Sequence, residues 1–182
     1  MTNFLYPYFV TNPRDFWRHW HISLSSWLRD YLYVPLGGNR GSRLATYRNL
    51  MLTMLLGGLW HGAAWTFVAW GAFHGALLAV HRAAKENGWL GSAEEKHGFV
   101  RKGLAVLVMF HLTCLGWLIF RAESFGQCVH LLGSVATRLL EWSPRAEYFL
   151  AQTLFFAVPV VVVQLMQRHI SPNLIRGPLG EW

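Results

Sequence analysis

Carboxylates are scarce in this chain. Aspartate and glutamate number nine in 182 residues, and charged residues of both signs make up 14% of the sequence, against about 25% in an ordinary soluble domain. The long apolar runs contain no carboxylate at all, which excludes a paired-acid mechanism or a carboxylate proton relay within them. Two cysteines, Cys114 and Cys128, are too few for a disulfide or thiolate framework, and Cys114, inside an apolar run, reads as an inert buried thiol. Zinc spacing and H-E-x-x-H are both missing, so no metal site is expected. The Gly-rich segment 35–48, PLGGNRGSRLATYR, lacks both phosphate-loop spacings and reads as a basic turn. Residues 1–15 lack a basic stretch followed by an apolar core, so insertion into a membrane is expected to rest on internal spans.

What the chain has in plenty is apolar and aromatic surface. It is 53% hydrophobic, with ten tryptophans and twelve phenylalanines. From Asn49 to His81 there is no Lys, Arg, Asp or Glu, a run longer than the ~18 residues that argue for a membrane span. As one helix it would measure about 50 Å, too long for a core of ~30 Å but enough for two short passes. A break at Gly57–Gly58 with His61 at the turn is therefore expected. Further spans are expected over 103–120 and 148–166, the second interrupted by Pro159. Between them, 121–147 reads as a mixed loop, and a tail with Arg176 and Pro178 closes the chain. The net charge of +7 is distributed between the spans, where it sets topology and meets lipid head groups rather than nucleic acid. The two most basic connectors, 35–48 and 82–102, both belong in the cytoplasm by the positive-inside rule, so 49–81 crosses an even number of times. The fold class that follows is an all-α polytopic membrane helix bundle forming one domain over 1–182.

An amphipathic helix is expected over 13–33. Asn12 can cap it, Pro13 suits the first position, Asp15 the third, and Pro35 with Gly37 and Gly38 ends it. At 100° per residue, Trp17, Trp20, His21, Leu24, Trp27, Leu28 and Tyr31 share one face, with Asp15, Arg18, His19, Arg29 and Asp30 opposite. Such a helix suits the membrane interface or the side of a bundle. The aromatic residues 1–11 before it read as an interfacial anchor.

Histidine is the one reactive group that recurs in the apolar parts: His21, His61, His74 and His111. Imidazole titrates near neutral pH and can take a proton from a hydroxyl as it attacks an acyl carbon. Two readings stand for His21: a working histidine, or a core residue with a backbone partner. For His61, an intramembrane position favours function, although helix–helix hydrogen bonding is the alternative. His74 reads as an interhelical donor, and the tryptophans at 60, 65 and 70 as packing or interface residues. A different class of function, haem binding through His61, His74 or His111, predicts a Soret band.

Residues 14–40, RDFWRHWHISLSSWLRDYLYVPLGGNR, then 52–75, LTMLLGGLWHGAAWTFVAWGAFHG, and 110–125, FHLTCLGWLIFRAESF, closely resemble the membrane-bound O-acyltransferases. The likeness is strongest to the branch that acetylates alginate and weaker to the branch that transfers D-alanine to teichoic acid. It implies a partial O-acyltransferase fold in a multi-pass protein of the bacterial inner membrane. It also implies catalytic roles for His61, in the L-W-H-G motif, and His21, in the W-H-I-S-L-S motif, with none for His19. No bound cofactor is implied. The donor substrate would be a cytoplasmic acyl thioester, acetyl-CoA or carrier-linked, and the acceptor a hydroxyl of an exported polysaccharide or of a periplasmic relay protein. Family members carry further helices before the first motif. The resemblance therefore implies the C-terminal portion of such an enzyme, a missing N-terminal portion as a partner, and a non-catalytic remnant as the other reading.

Overall fold

The computed structural model describes residues 2–90, 98–138 and 144–170. They form helices and turns and no strand, in agreement with the all-α expectation: α1 (Pro13–His19), α2 (Ile22–Leu28), α3 (Arg43–Trp60), α4 (Trp65–Glu86), α5 (Phe99–Arg121), α6 (Phe125–Arg138) and α7 (Pro144–Ile170). A 3₁₀ turn at Pro7–Phe9 precedes them, and a π-turn at Arg29–Tyr33 extends α2. The polar connector expected over 82–102 lies partly outside the described residues, and the closing tail with Arg176 and Pro178 wholly so.

The centre is an antiparallel hairpin of α3 and α4, and its glycines serve a purpose the sequence reading did not foresee. The chain does not break at Gly57–Gly58; α3 runs through both and ends at Trp60. A Cβ on Gly58 would lie 2.2 Å from the Phe67 carbonyl oxygen, and one on Gly71 2.3 Å from that of Met54. These two glycines let the helix backbones touch, as small residues do between membrane helices. Their helix-propensity cost, about 1 kcal/mol each, is offset by that packing. The reversal falls instead at His61–Ala64, where His61 N–H and Gly62 N–H donate to the carbonyls of Gly58 (3.0 Å) and Leu59 (3.1 Å). Gly62 takes φ 151°, open to glycine at little cost.

Polar groups close the other end. Glu86 accepts from Arg43 Nε (2.8 Å), Tyr47 Oη (2.9 Å) and Arg82 Nε (2.7 Å), tying α3 to α4. The Gly-rich loop is held against both helices, since Asn49 Nδ2 donates to the Gly38 carbonyl (3.3 Å) and Arg82 Nη1 to Asn39 Oδ1 (2.6 Å).

Around the hairpin, α1 and α5 enclose a core of Phe16, Trp17, Met54, Trp70, Leu78 and Met109. The long helix expected over 13–33 is divided. It stops at His19, and His21 adopts a left-handed conformation, φ 43°, before α2 begins. The cause is the N-terminal segment: Leu5 N–H donates to the His19 carbonyl (3.0 Å), Ile22 N–H to that of Asn3 (3.0 Å), and Ser23 N–H to Asn3 Oδ1 (3.0 Å). Residues read as a membrane anchor thus act as a clasp.

Helix α5 and the segment Glu147–Gln167 of α7 are long and apolar enough to cross a membrane, each with mean hydropathy 2.1. The two hairpin helices do not reach that measure. Helix α7 meets the remainder through Gln164 and Gln167, whose side-chain oxygens accept from the Tyr8 (3.3 Å) and Tyr6 (3.2 Å) amides. The loop expected over 121–147 contains α6. Ser124 caps it by accepting from the Gln127 amide (3.1 Å), and the Ser-x-x-Gln pattern is a start signal present in the sequence.

Candidate active site

His61 terminates α3, and its half-buried ring sits in an aromatic enclosure. The rings of Trp60, Trp70 and Phe120 stand edge-on to it, with centroids at 5.1, 5.3 and 5.0 Å, and Phe67 lies at 6.2 Å. Among the described residues neither ring nitrogen has a protein hydrogen-bond partner, so both are available to a bound molecule. An apolar wall strengthens polar interactions made inside it and excludes competing water.

His21 comes to the same end of the molecule by another route. Its left-handed backbone turns the side chain away from the helix face to which a regular wheel assigns it. The ring lies 5.9 Å from Phe4, and Nδ1 is 3.5 Å from Ser23 Oγ. With Ser23, Leu24, Trp27 and Trp60, His21 lines an open groove of about 350 Å³. Trp60 adjoins His61 in the chain, and the two histidines are close enough to interact electrostatically. The two candidate histidines are thus gathered at the turn end of the hairpin. A non-glycine residue held at positive φ stores of the order of 1 kcal/mol of strain. At His21 the Asn3 clasp maintains it.

The other histidines separate from this pair. On the wheel His19 belongs to the polar face, yet it is buried, with its ring 4.9 Å from Tyr6 and Nδ1 donating to the Asp15 carbonyl at 2.6 Å. The break after His19 exchanges the environments of His19 and His21. His74 is 2% exposed, enclosed by Phe16, Trp17, Trp70 and Phe73. The interhelical hydrogen bond expected of it is not made among the described residues, and its Nδ1 is buried without a partner. Its contact with α5 is steric, since a Cβ on Gly116 would lie 2.8 Å from Nε2. His111, the third residue of the haem reading, is exposed on α5 and donates from Nδ1 to the Leu107 carbonyl (2.8 Å). No group of three or more His, Cys, Asp or Glu side chains able to hold a metal occurs among the described residues.

Trp70, read from the sequence as a packing or interface residue, is buried against His61, unlike the exposed Trp60 and Trp65; the pairing of Gly58 with Phe67 across the hairpin sets the register that brings it there. Two contributors escaped the sequence reading. Phe120 arrives from α5 and Asn3 from the N-terminus, and neither carries a local signal.

At this arrangement an imidazole with free nitrogens, a hydrophobic wall and a neighbouring second histidine can accept a proton from a hydroxyl and return it to a leaving group. Known proteins carry the same sequence segments. Residues 3–88 match the membrane-bound O-acyltransferase family model. A probable alginate O-acetylase of Azotobacter vinelandii is 55% identical over 124 residues, 68% of this chain and 23% of that protein. A peptidoglycan O-acetyltransferase of Helicobacter pylori is 44% identical over 152 residues, 81% of this chain and 28% of the relative. The teichoic acid D-alanyltransferase of Bacillus subtilis is 29% identical over 134 residues, 68% of this chain and 33% of the relative. The chain therefore spans between about a quarter and a third of the length of these relatives. With both histidine motifs inside the matched residues, the chain belongs to the membrane-bound O-acyltransferase family.

Proposed function

We propose that this chain carries the acyl-transfer centre of a multi-pass O-acetyltransferase of the bacterial inner membrane, with His61 as general base and His21 as the second histidine of the site. His61 takes the proton of the acceptor hydroxyl as its oxygen attacks the acyl carbon of a thioester. When the tetrahedral intermediate collapses, the carbon–sulfur bond breaks and the imidazolium returns its proton to the thiolate, so thiol and ester leave and the histidine is restored. The donor is a cytoplasmic thioester, acetyl-CoA or carrier-linked. The acceptor is a hydroxyl of an exported polysaccharide, in keeping with the names of the alginate and peptidoglycan acetylases, or of a periplasmic relay protein that carries the acyl group onward. The single observation that supports this reading best is the placement of two motif histidines, from segments far apart in sequence, within electrostatic range of each other at the aromatic-walled turn end of the hairpin.

The experiment is complementation. In a bacterial strain lacking its own homologue, O-acetylation of the secreted polysaccharide is compared for this chain, its His61→Ala form and a full-length relative, at matched amounts in the membrane fraction. Restoration by this chain and not by His61→Ala is expected. Equal restoration by both removes His61 as the base. Restoration by the full-length relative alone leaves this chain as a portion that needs the rest of the fold.

A further inference from the structure

The charged end of the α3–α4 hairpin borders a second cavity, remote from His61. Its volume is about 270 Å³, and it lies among Arg14 of α1, Asn39 of the Gly-rich loop, and His81, Arg82, Lys85 and Glu86 of α4. Along α4, His81 is sixteen residues from Trp65, roughly 24 Å at helical rise, so this cavity stands far from His61.

Its charge is unbalanced. Three permanent cations line it against one carboxylate, and that carboxylate is occupied by Arg43, Tyr47 and Arg82. Asp15, within electrostatic range of His81, is already held by Asn12 Nδ2 at 2.7 Å and faces Arg18 at 3.8 Å. Arg14 and Lys85 form no ion pair among the described residues, and Arg14 Nε is buried with no hydrogen-bond partner. A buried guanidinium N–H without an acceptor is costly, of the order of 1–3 kcal/mol, and is the kind of group an anionic ligand satisfies. Guanidinium forks and ammonium groups suit phosphate oxygens in particular. Beyond His81 the cavity adjoins an apolar groove of about 350 Å³ along Leu104, Val108 and Leu112 of α5. That continuation fits a phosphate carried on a longer molecule.

We propose that this cavity is a phosphate-ester binding site, in which Arg14 and Lys85 hold the phosphate oxygens and Arg82, fixed by Glu86, completes the positive rim. The same chemistry has two sources, the phosphates of a soluble nucleotide-type thioester and the head group of an anionic phospholipid. The site stands on its own residues, whether or not His61 transfers an acyl group.

The test uses the full chain in phosphatidylcholine nanodiscs. Binding of labelled pyrophosphate and of coenzyme A is measured by equilibrium dialysis, and retention of phosphatidylglycerol in mixed nanodiscs by native mass spectrometry. Arg14→Gln and Lys85→Gln are each expected to weaken binding at least about tenfold, as loss of a charge-assisted hydrogen bond does, while Arg14→Lys retains most of it. Arg121→Gln and Arg145→Gln remove the same charge elsewhere and are expected to change binding less than about twofold. Lys85 is exposed on the last turn of α4, so its variant reports even where an Arg14 variant folds poorly. Variant-sensitive binding of coenzyme A supports the site with a soluble donor as its source, and variant-sensitive retention of phosphatidylglycerol supports it with a lipid source. No binding of any probe, or equal weakening by the Arg121 and Arg145 variants, overturns it.

Discussion

The two ends of the α3–α4 hairpin are assembled by opposite means. At the turn, His61 stands among Trp60, Phe67, Trp70 and Phe120, with no ion pair among the described residues. At the open end, Glu86 gathers Arg43, Tyr47 and Arg82 in an exposed polar network. Removing one aromatic wall changes the medium in which a proton moves, whereas removing one exposed ion pair changes little, because water replaces it. The same pair of helices thus carries a sensitive end and a tolerant end, and the interlocked glycines between them hold the two backbones in contact.

The largest effect expected is at the sensitive end. His61→Ala should lower acyl transfer by about 10²–10⁴-fold, the usual contribution of a general base, with the amount of protein in the membrane unchanged. Next comes the join between the ends. A methyl at Gly58 meets the Phe67 carbonyl at 2.2 Å, a backbone atom that cannot yield cheaply. Gly58→Ala should therefore cost about 1–3 kcal/mol or more in thermal stability. Gly103→Ala on α5, with open space around the new methyl, should leave stability unchanged or raise it by up to about 1 kcal/mol. Equal melting of the two variants would break the interlocking account.

A smaller effect tests the clasp. Asn3→Ala removes the acceptor for the Ser23 amide and should cost about 0.5–2 kcal/mol, as loss of a helix-capping side chain does. If the clasp positions His21, turnover should also fall severalfold in the Asn3→Ala variant and not in a His21→Ala background. The smallest effect belongs to Glu86. The Arg43 hydrogen bond first, then those of Tyr47 and Arg82, holds its carboxyl down at about 2. A carboxyl that titrates lower folded than unfolded stabilises fully above its unfolded pKa, about 4.3, and loses that contribution as pH falls toward 2. The melting temperature of the wild type should therefore exceed that of Glu86→Gln by a small margin at pH 7, and the margin should close as pH falls from about 4 toward 2.

Much of this could be read from the sequence, and the failures share one physical cause. The charge-free run from Asn49 to His81 gave the hairpin and the position of His61, because an apolar stretch of that length has few other ways to satisfy its backbone. Helical periodicity assumed continuity through His21, where a distant segment, Asn3–Leu5, competes for the same backbone groups. That competition reversed the burial of His19 and His21. Glycine pairs signal a break in isolation and close packing in a partner's presence, and only the register of α3 on α4 distinguishes the two. The α6 helix was legible in Ser124 and Gln127 but was obscured by the mixed composition around it. Phe120 reaches His61, and Arg14 its cavity, by tertiary approach, which no local pattern encodes.

The central claim is that His61, and not another buried histidine, carries the proton in acyl transfer. The most direct test is transfer of labelled acetyl from a thioester to a hydroxyl acceptor in isolated membranes. His61→Ala and His74→Leu are compared with wild type at equal membrane content. Transfer lost in His61→Ala and retained within about tenfold in His74→Leu, whose imidazole packs among aromatic rings and against Gly116, is the result expected. Transfer that survives His61→Ala, or that vanishes in His74→Leu with the protein still folded, contradicts it.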